Sequence, residues 1–420
     1  MWHRFRQSFL GEKIRLLFPN WTVNVFKHLP VALVAVLFYR YPARHLKVIG
    51  VTGTDGKTTT AALIQEILGN WGKKAALVST VKTKIGSQEI NTGLHVTSPE
   101  PWILQKLLRR FVDQGFEYAV LEATSQGLDQ YRFCGCRFSL GVITNLTYEH
   151  FDYHKNYQSY LKAKSRLFEK VTAGVLNRDD RSFNYLNQKL KEKKAKVTTY
   201  GLKSTADFNP KTFTFQTPLL GEYNQYNCLA AVAVTSILGI PKDIIKKTLL
   251  AFKGVEGRAE EIKNDLGLRV FVDFAHTPNS LKNILQALAK IKKKGSRLIV
   301  VFGSAGGRDK TKRPMMGENA AKYADLVVLT ADDPRTEDVN QIIKEIAQGV
   351  LRHGTIKEGK TLFRIPDREE AIKFAIQNLA QKGDIVAVCG KGHQKSFYQG
   401  KETLPWDEHQ VIKMALKGRK

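Results

Sequence analysis

The chain has 420 residues and a formal net charge of +27, with 66 Lys and Arg against 39 Asp and Glu; a length of that order predicts two or three domains. Hydrophobic residues at 43% and charged ones at 25% exclude a disordered or fibrous chain, and four cysteines exclude a disulfide framework and fit a reducing compartment. The charge favours anionic partners, but the lysines are scattered (Lys191, Lys193, Lys194, Lys196; Lys292 to Lys294) with no aromatic interleaving and no RNP-like or helix-turn-helix signature, so no nucleic-acid partner is expected.

The opening MWHRFRQSFLGEKIRLLFPNW is basic and aromatic, without a small-residue cleavage site, so no cleavable leader is expected. Leu29 to Tyr39, LPVALVAVLFY, is an apolar run of eleven, too short to span a bilayer alone. A buried helix is the favoured reading, and a helix resting on an anionic membrane surface the second. A strand is predicted from Leu46 to Thr52, then a tight glycine turn and a helix from Lys57 to Trp71. Further strands are predicted at Ala75–Thr80, Tyr118–Glu122 and Leu140–Asn145, and helices at Trp102–Gln114, Tyr157–Glu169 and Asn224–Leu238. A second alternating series begins near Arg258. Its strands are Val270–Phe274, Leu298–Gly303, Leu326–Thr330 and Ile385–Cys389; its helices are Ser280–Lys290, Lys312–Tyr323, Val339–Val350, Arg368–Gln381 and Glu408–Leu416. Alternation of this kind predicts parallel α/β sheets, whose ligands sit at the carboxyl ends of the strands.

The loops at those ends carry the chemistry. VIGVTGTDGKTTT (Val48 to Thr60) departs from G-x-x-x-x-G-K-[ST], which would place glycine at Val51; the glycine is Gly53, three before Gly56. Gly53 and Gly56, with Thr54, Asp55 and Thr59 around them, let backbone N–H groups turn onto phosphate oxygens at a helix N-terminus. Lys57 suits the terminal phosphates and Thr58 a Mg²⁺ ion. Glu122, at a strand end, suits the same metal, and His150 follows another strand end in TNLTYEHFDYH (144–154). Cys134 and Cys136 form a C-x-C with His150 and His154 downstream, but no second pair completes a zinc set, and ordinary cysteines are expected.

Together with HVTSP (95–99), LEATSQGLDQYR (121–132), YLKAKSRLF (160–168), GEYNQYNCLAA (221–231), GVEGRAEEI (254–262), VDFAHTPNSL (272–281), FGSAGGRDKTKRPMM (302–316), ADDPRTED (331–338) and GKGHQ (390–394), these stretches resemble the Mur ligase family of ATP-dependent amide-forming enzymes. They are most similar to its MurE branch, which adds a diamino acid to a muramoyl-L-alanyl-D-glutamate precursor of peptidoglycan. The resemblance implies an α/β fold: a short N-terminal helical segment (1–45, a truncated substrate domain), a central P-loop-type parallel-sheet ATPase domain (46–256) and a Rossmann-like C-terminal domain (257–420) that binds the incoming amino acid. It implies phosphorylation of a carboxylate by ATP, then attack of an amine on the acyl phosphate. Lys57, Glu122, His150 and Lys164 would be catalytic. Thr58, Glu122, His150 and a carbamylated Lys164 would hold two Mg²⁺ ions. Asn224, Asn227, Arg258 and Asp273 would meet the nucleotide. Thr97, Ser98, Thr124, Gln130 and Arg132 would meet the acceptor. Arg308, the run Asp332, Asp333, Pro334 and Arg335, Gly390 and Gln394 would meet the diamino acid, the arginines on its carboxylate. A cytoplasmic monomer acting on small molecules is expected, with peripheral membrane contact through the N-terminal segment as a second reading.

Three departures from the family pattern stand out. Gln394 replaces the Glu that follows G-K-G-H, and Asp333 stands where diaminopimelate enzymes typically have Asn, which leaves diaminopimelate, L-lysine and other diamino acids open. Gln126 replaces a His. About 45 residues precede the first strand, too few for a typical uridine-nucleotide domain, so a UDP-linked and a lipid-linked acceptor both stay open.

Overall fold

The computed structural model describes residues 20–81, 83–85, 88–90, 97–147, 149, 151–354 and 356–419. His150, the first nineteen residues and the start of HVTSP lie outside them. The first helix, α1, runs through Asn20–Val23, a π-turn at Asn24–His28 and Leu29–Phe38. The π-turn falls where Pro30 withholds its N–H from the helical ladder. The apolar run was expected to be buried, yet only Ala32, Ala35 and Val36 are; Leu33, Val34, Leu37 and Phe38 face outward.

There follow β1 (Lys47–Thr52), α2 (Lys57–Asn70), β2 (Ala75–Val78), β3 (Thr83–Ile85), β4 (Gln88–Ile90), α3 (Pro101–Asp113), β5 (Tyr118–Glu122), α4 (Ser125–Asp129), β6 (Phe138–Ile143), α5 (Phe151–His154), α6 (Tyr157–Ser165), β7 (Ala173–Asn177), α7 (Phe183–Glu192), β8 (Lys196–Tyr200), α8 (Glu222–Ile237) and α9 (Lys242–Ala251). Among the described residues the strands join in the order β4-β3-β2-β5-β1-β6-β7-β8. Six run parallel; β3 and β4 return antiparallel at one edge. β1 and β5 are near-continuous apolar runs because helices cover both faces. Ile49, Val51 and Val120 pack against α2 and α8 on one side, and Val48, Ala119 and Leu121 against α3 and α6 on the other. The chain leaves β1 toward one edge and crosses after β5 to the other, so the crevice of the sheet opens at the carboxyl end of β1.

The second sheet is built from β9 (Glu260–Ile262), β10 (Arg269–Asp273), α10 (Pro278–Ile291), β11 (Leu298–Phe302), α11 (Lys312–Tyr323), β12 (Leu326–Leu329), α12 (Val339–Leu351), β13 (Leu362–Arg364), α13 (Arg368–Lys373, continued by a π-turn at Phe374–Leu379) and β14 (Ile385–Cys389). The order is β13-β12-β11-β14-β10-β9, parallel except for β9. A hairpin of β15 (Ser396–Gln399) and β16 (Glu402–Pro405) and the closing helix α14 (Glu408–Lys417) complete the chain.

Candidate active site

The carboxyl ends of the two sheets face each other across a cleft of about 1380 Å³. On the first sheet, β1 ends in a glycine turn and α2 begins at Lys57. Gly53 and Gly56 both have positive φ, +148° and +83°. A Cβ on Gly53 would run into Thr144 Oγ1, and one on Gly56 into Asn227 Oδ1, so the turn is both left-handed and crowded. Lys57 Nζ folds back to donate to Thr54 O at 2.7 Å. Thr58 Oγ1 lies 3.1 Å from each carboxylate oxygen of Glu122, which is 2% exposed and also accepts from Thr80 N at 2.9 Å. Two expected metal ligands, one from the first turn of α2 and one from the end of β5, therefore meet. Lys164, on α6, is 1% exposed and donates to Gly53 O at 2.6 Å. Burial first, then the charge of Lys57, pushes its pKa well below the usual lysine value, against a weaker pull from Glu149, Asp55 and Glu122. Asp55 is raised, chiefly by burial and next by Glu149.

Asn224 and Asn227 open α8 side by side, with Asn227 Nδ2 donating to Asn224 Oδ1 at 2.9 Å. Arg258 lies over the Phe274 ring, 4.5 Å from its centroid, and crosses the cleft to donate from Nη2 to Thr58 Oγ1 at 3.3 Å. Its Nε is buried without a partner among the described residues, aimed where an anion would satisfy it. Both oxygens of Asp273 accept backbone N–H groups, from Ala259 at 2.6 Å and Ala275 at 2.7 Å; each keeps a lone pair for the cleft.

At the next strand end, Ser98 and Thr124 share a 2.9 Å hydroxyl contact, and Thr80 donates to Thr97 at 2.9 Å. Arg132 Nη1 donates to Ser98 O at 2.7 Å and Nη2 to Gln130 Oε1 at 2.8 Å. On the second sheet Asp332, Asp333, Arg335, Arg308, Gly390 and Gln394 line the same cleft. Asp333 and Arg335 have φ of +47° and +54°, and the hairpin holds them through Tyr398 N to Asp333 Oδ1 at 2.9 Å and Arg335 N to Tyr398 O at 3.0 Å. Lys391, 0% exposed, pairs with Asp333 at 2.7 Å. Asp332 carries no hydrogen bond among the described residues and stands where a Cβ on Gly390 would collide with it. Pro334, Gln130, Gly53 and Lys164 sit behind the cleft wall rather than on it. Cys134 and Cys136 are half-buried free thiols, the second pushed up to about 12 by burial, and among the described residues no three His, Cys, Asp or Glu side chains gather as a metal cluster.

Several residues of the site escaped the sequence reading. Asn279 donates to Asp55 Oδ2 at 2.6 Å across the two sheets; its only sequence signal was its place in the helix-opening T-P-N. Lys312 lines the cleft and donates to His276 O at 2.8 Å, while His276 faces Glu149 at 3.3 Å. Arg368, 2% exposed, pairs with Glu408 and ties Ala331 O to Cys389 O.

The Mur ligase middle-domain profile matches residues 51–235, and that of the Mur ligase glutamate ligase domain matches residues 257–392. A UDP-N-acetylmuramoyl-L-alanyl-D-glutamate--2,6-diaminopimelate ligase of Caldanaerobacter subterraneus subsp. tengcongensis is 36% identical, over 95% of this chain and 84% of its own. The chain belongs to the Mur ligase family. A solved structure of a ligase of the same description is 32% identical, with a TM-score of 0.62 over 91% of this Mur ligase and 82% of that chain. A Mycobacterium tuberculosis folylpolyglutamate synthase complexed with ADP superposes with a TM-score of 0.69 but at 17% identity, a likeness of fold alone.

Proposed function

We propose that this Mur ligase is an ATP-dependent, ADP-forming acid–amino-acid ligase that adds a diamino acid to the D-glutamate of a muramoyl-L-alanyl-D-glutamate cell-wall precursor. The observation that carries it is one cleft holding a phosphate loop, a Thr58–Glu122 pair and a separate patch of arginines facing Asp332. Its cofactors are ATP and Mg²⁺. Thr58 and Glu122 would hold a Mg²⁺ ion, with His150 and Lys164 as a carbamate completing the two-ion set; bound Mg²⁺ offsets the charge of the transferring phosphoryl group. The buried, unpartnered Nε of Arg258 fits the same anionic occupant.

Each part of the chain then has a task. The turn from Gly53 to Thr59 wraps the phosphates with N–H groups, and Lys57 turns from Thr54 O to the terminal phosphate. Asn224 and Asn227 meet the adenine and Asp273 the ribose. Arg258 and Asn279 join the two sheets over the nucleotide, so water leaves the site as the halves close. Thr97, Ser98, Thr124, Gln130 and Arg132 orient the acceptor so that its γ-carboxylate meets the phosphoryl group, and Arg308 and Arg335 take the carboxylate of the incoming amino acid. We assign residues 46–256 to the nucleotide and acceptor and 257–420 to the amino acid, with 1–45 as a short N-terminal segment. The protein works as a cytoplasmic monomer on small-molecule substrates.

Which diamino acid enters turns on charge. Asp333 is already engaged by Lys391 and Tyr398 N, so Asp332 is the carboxylate left to meet a side-chain ammonium, with Gln394 as a neutral acceptor beside it. The test is ADP release by the purified protein with UDP-linked and lipid-linked muramoyl dipeptides and each diamino acid in turn. No ADP with any pair would overturn the reading.

A further inference from the structure

α1 is fixed to the protein along one face and leaves an apolar face outside. On the inner face Asn24, Ala32, Ala35 and Val36 are at most 4% exposed. Val36 fills the space where a Cβ on Gly135 would sit, and Asn24 Nδ2 donates to Asp129 Oδ2 at 2.7 Å. On the outer face Phe26 is 76% exposed, Phe38 67%, Leu37 64%, Trp21 63% and Val34 53%. The start of α3 extends this face, with Trp102 edge-on to Phe38 at 5.3 Å between centroids. Single exposed apolar side chains are ordinary; a continuous face of them on one helix marks a contact surface.

The charge around it selects the partner. From Asn20 to Lys47 the basic residues are Lys27, Arg40, Arg44 and Lys47, with no acidic residue among them. Arg40, Arg44 and Lys47 are exposed where α1 ends, and Lys106 and Arg110 are exposed on α3. An apolar face with Trp and Tyr at its border and a basic rim is complementary to an anionic bilayer surface. Trp21–Phe38 has the length and mean hydropathy, 1.5, of a bilayer span. Crossing would carry the Asn24–Asp129 pair into hydrocarbon, so the helix lies in the plane of the interface instead.

We propose that α1 and the tip of α3 seat this protein on an anionic bilayer surface, with the outer face of α1 at the acyl boundary. A chain of hydrogen bonds runs from the seat toward the acceptor end of the cleft. Asp129 accepts from Tyr153 OH at 3.0 Å as well as from Asn24; Gln130 Nε2 donates to Tyr153 OH at 3.5 Å; Gln130 Oε1 accepts from Arg132. On the ligase reading, on which this step alone rests, the acceptor end lies beside the membrane, and a lipid-linked acceptor can enter without leaving it.

Sedimentation of the full chain with vesicles tests the seat without any substrate, so its outcome is independent of the ADP assay. The chain co-sediments with phosphatidylcholine vesicles containing phosphatidylglycerol at least about tenfold more strongly than with phosphatidylcholine alone, and raised salt weakens the binding. The triple variant Phe26→Asp, Leu37→Asp, Phe38→Asp loses the binding at unchanged circular dichroism; Leu37→Ser, milder, weakens it severalfold should the triple variant misfold. No binding by the unmodified chain overturns the proposal. Equal binding by the folded variants does too, since net charge alone then suffices. So does a dimer that the variants dissolve while vesicles go unbound, since a second copy then covers the face.

Discussion

Two lysines among the described residues are almost fully buried, and their surroundings are opposite. Lys391, at the amino-acid end, is 0% exposed; it pairs with Asp333 at 2.7 Å and lies 5.5 Å from the Phe397 ring centroid. Lys164, at the nucleotide end, is 1% exposed; it reaches only Gly53 O and the face of Tyr160, with no carboxylate in ion-pair range among the described residues. A buried cation without a counter-ion gives up its proton, and the pKa of Lys164 is indeed held well below the usual value by burial and by Lys57. The difference separates a structural charge from a reactive amine. A neutral amine is the form that takes up carbon dioxide, so these surroundings suit the carbamate proposed for Lys164, whose oxygens would serve as metal ligands.

The largest effect comes from breaking the open member. Lys164→Ala lowers kcat about 10²- to 10³-fold, the scale of losing a positioned charge at a phosphoryl-transfer site. The melting temperature falls too, because a buried side chain and its hydrogen bond to Gly53 O are lost, so the rate is read well below the transition. Added formate or acetate restores part of the rate, as does bicarbonate to carbon-dioxide-depleted unmodified enzyme. A variant that stays folded at the assay temperature and ignores added carboxylates would make Lys164 structural. The closed member answers differently. Lys391→Met leaves Asp333 buried and unpaired, which costs about 3–5 kcal/mol of stability by urea denaturation. Adding Asp333→Asn, which tolerates the left-handed backbone at that position, recovers most of it. Failure of the second substitution to rescue the first would show that the pair is not a closed unit.

Between these two lies the charge that decides the amino acid. Asp332→Asn lowers kcat/KM for the diamino acid about 10- to 100-fold while KM for ATP is unchanged, because a lost charge-to-charge hydrogen bond costs about 1.5–3 kcal/mol. Gln394→Glu adds a carboxylate at the same wall and raises preference for diaminopimelate in a competition assay. An unchanged amino-acid profile in both would move the specificity away from this wall.

The nucleotide end was legible because its parts are local in sequence: β1, the glycine turn and α2 are contiguous, Thr58 opens α2 and Glu122 ends β5. Most long parallel strands were legible because burial on both faces makes them continuous apolar runs, but β7 and β8 were missed: β8 carries Lys and Thr with only two of its five residues buried, and β7 is a short run broken by Gly174. The three-residue strands β3, β4, β9 and β13 are too short to carry a period, and β16 lies entirely exposed in a hairpin. The predicted ends at Thr80, Asn145, Phe274, Gly303 and Thr330 overran the strands by one or two residues, into the loops at the carboxyl ends. The Asp333–Lys391 pair spans 58 positions, and no local pattern marks it. The exposed face of α1 was misread because an apolar helix has the same sequence whether its outer side meets protein or lipid.

The smallest effect tests a half-exposed version of the closed pair. His409 Nε2 lies 2.8 Å from Glu260 Oε2 and ties α14 to β9. The hydrogen bond of Glu260, against burial and with its charge, raises the His409 pKa above 6.5; for Glu260 burial is the largest single effect and raises the pKa, but the hydrogen bonds from His409 and Gly257 N and the charges of His409 and Lys395 together bring it below 4.5. A raised histidine contributes stability that is complete below 6.5 and is lost as pH rises through its folded value; a lowered carboxylate contributes stability that is complete above 4.5 and is lost as pH falls through its own. The pair is therefore intact between those limits, and stability falls from pH 6 to pH 8 by under about 1 kcal/mol, as befits a solvent-screened contact. His409→Gln, which keeps a hydrogen bond and removes the titration, flattens that part of the profile in urea midpoints measured at each pH. A profile that falls as steeply in the variant would assign the dependence to another group.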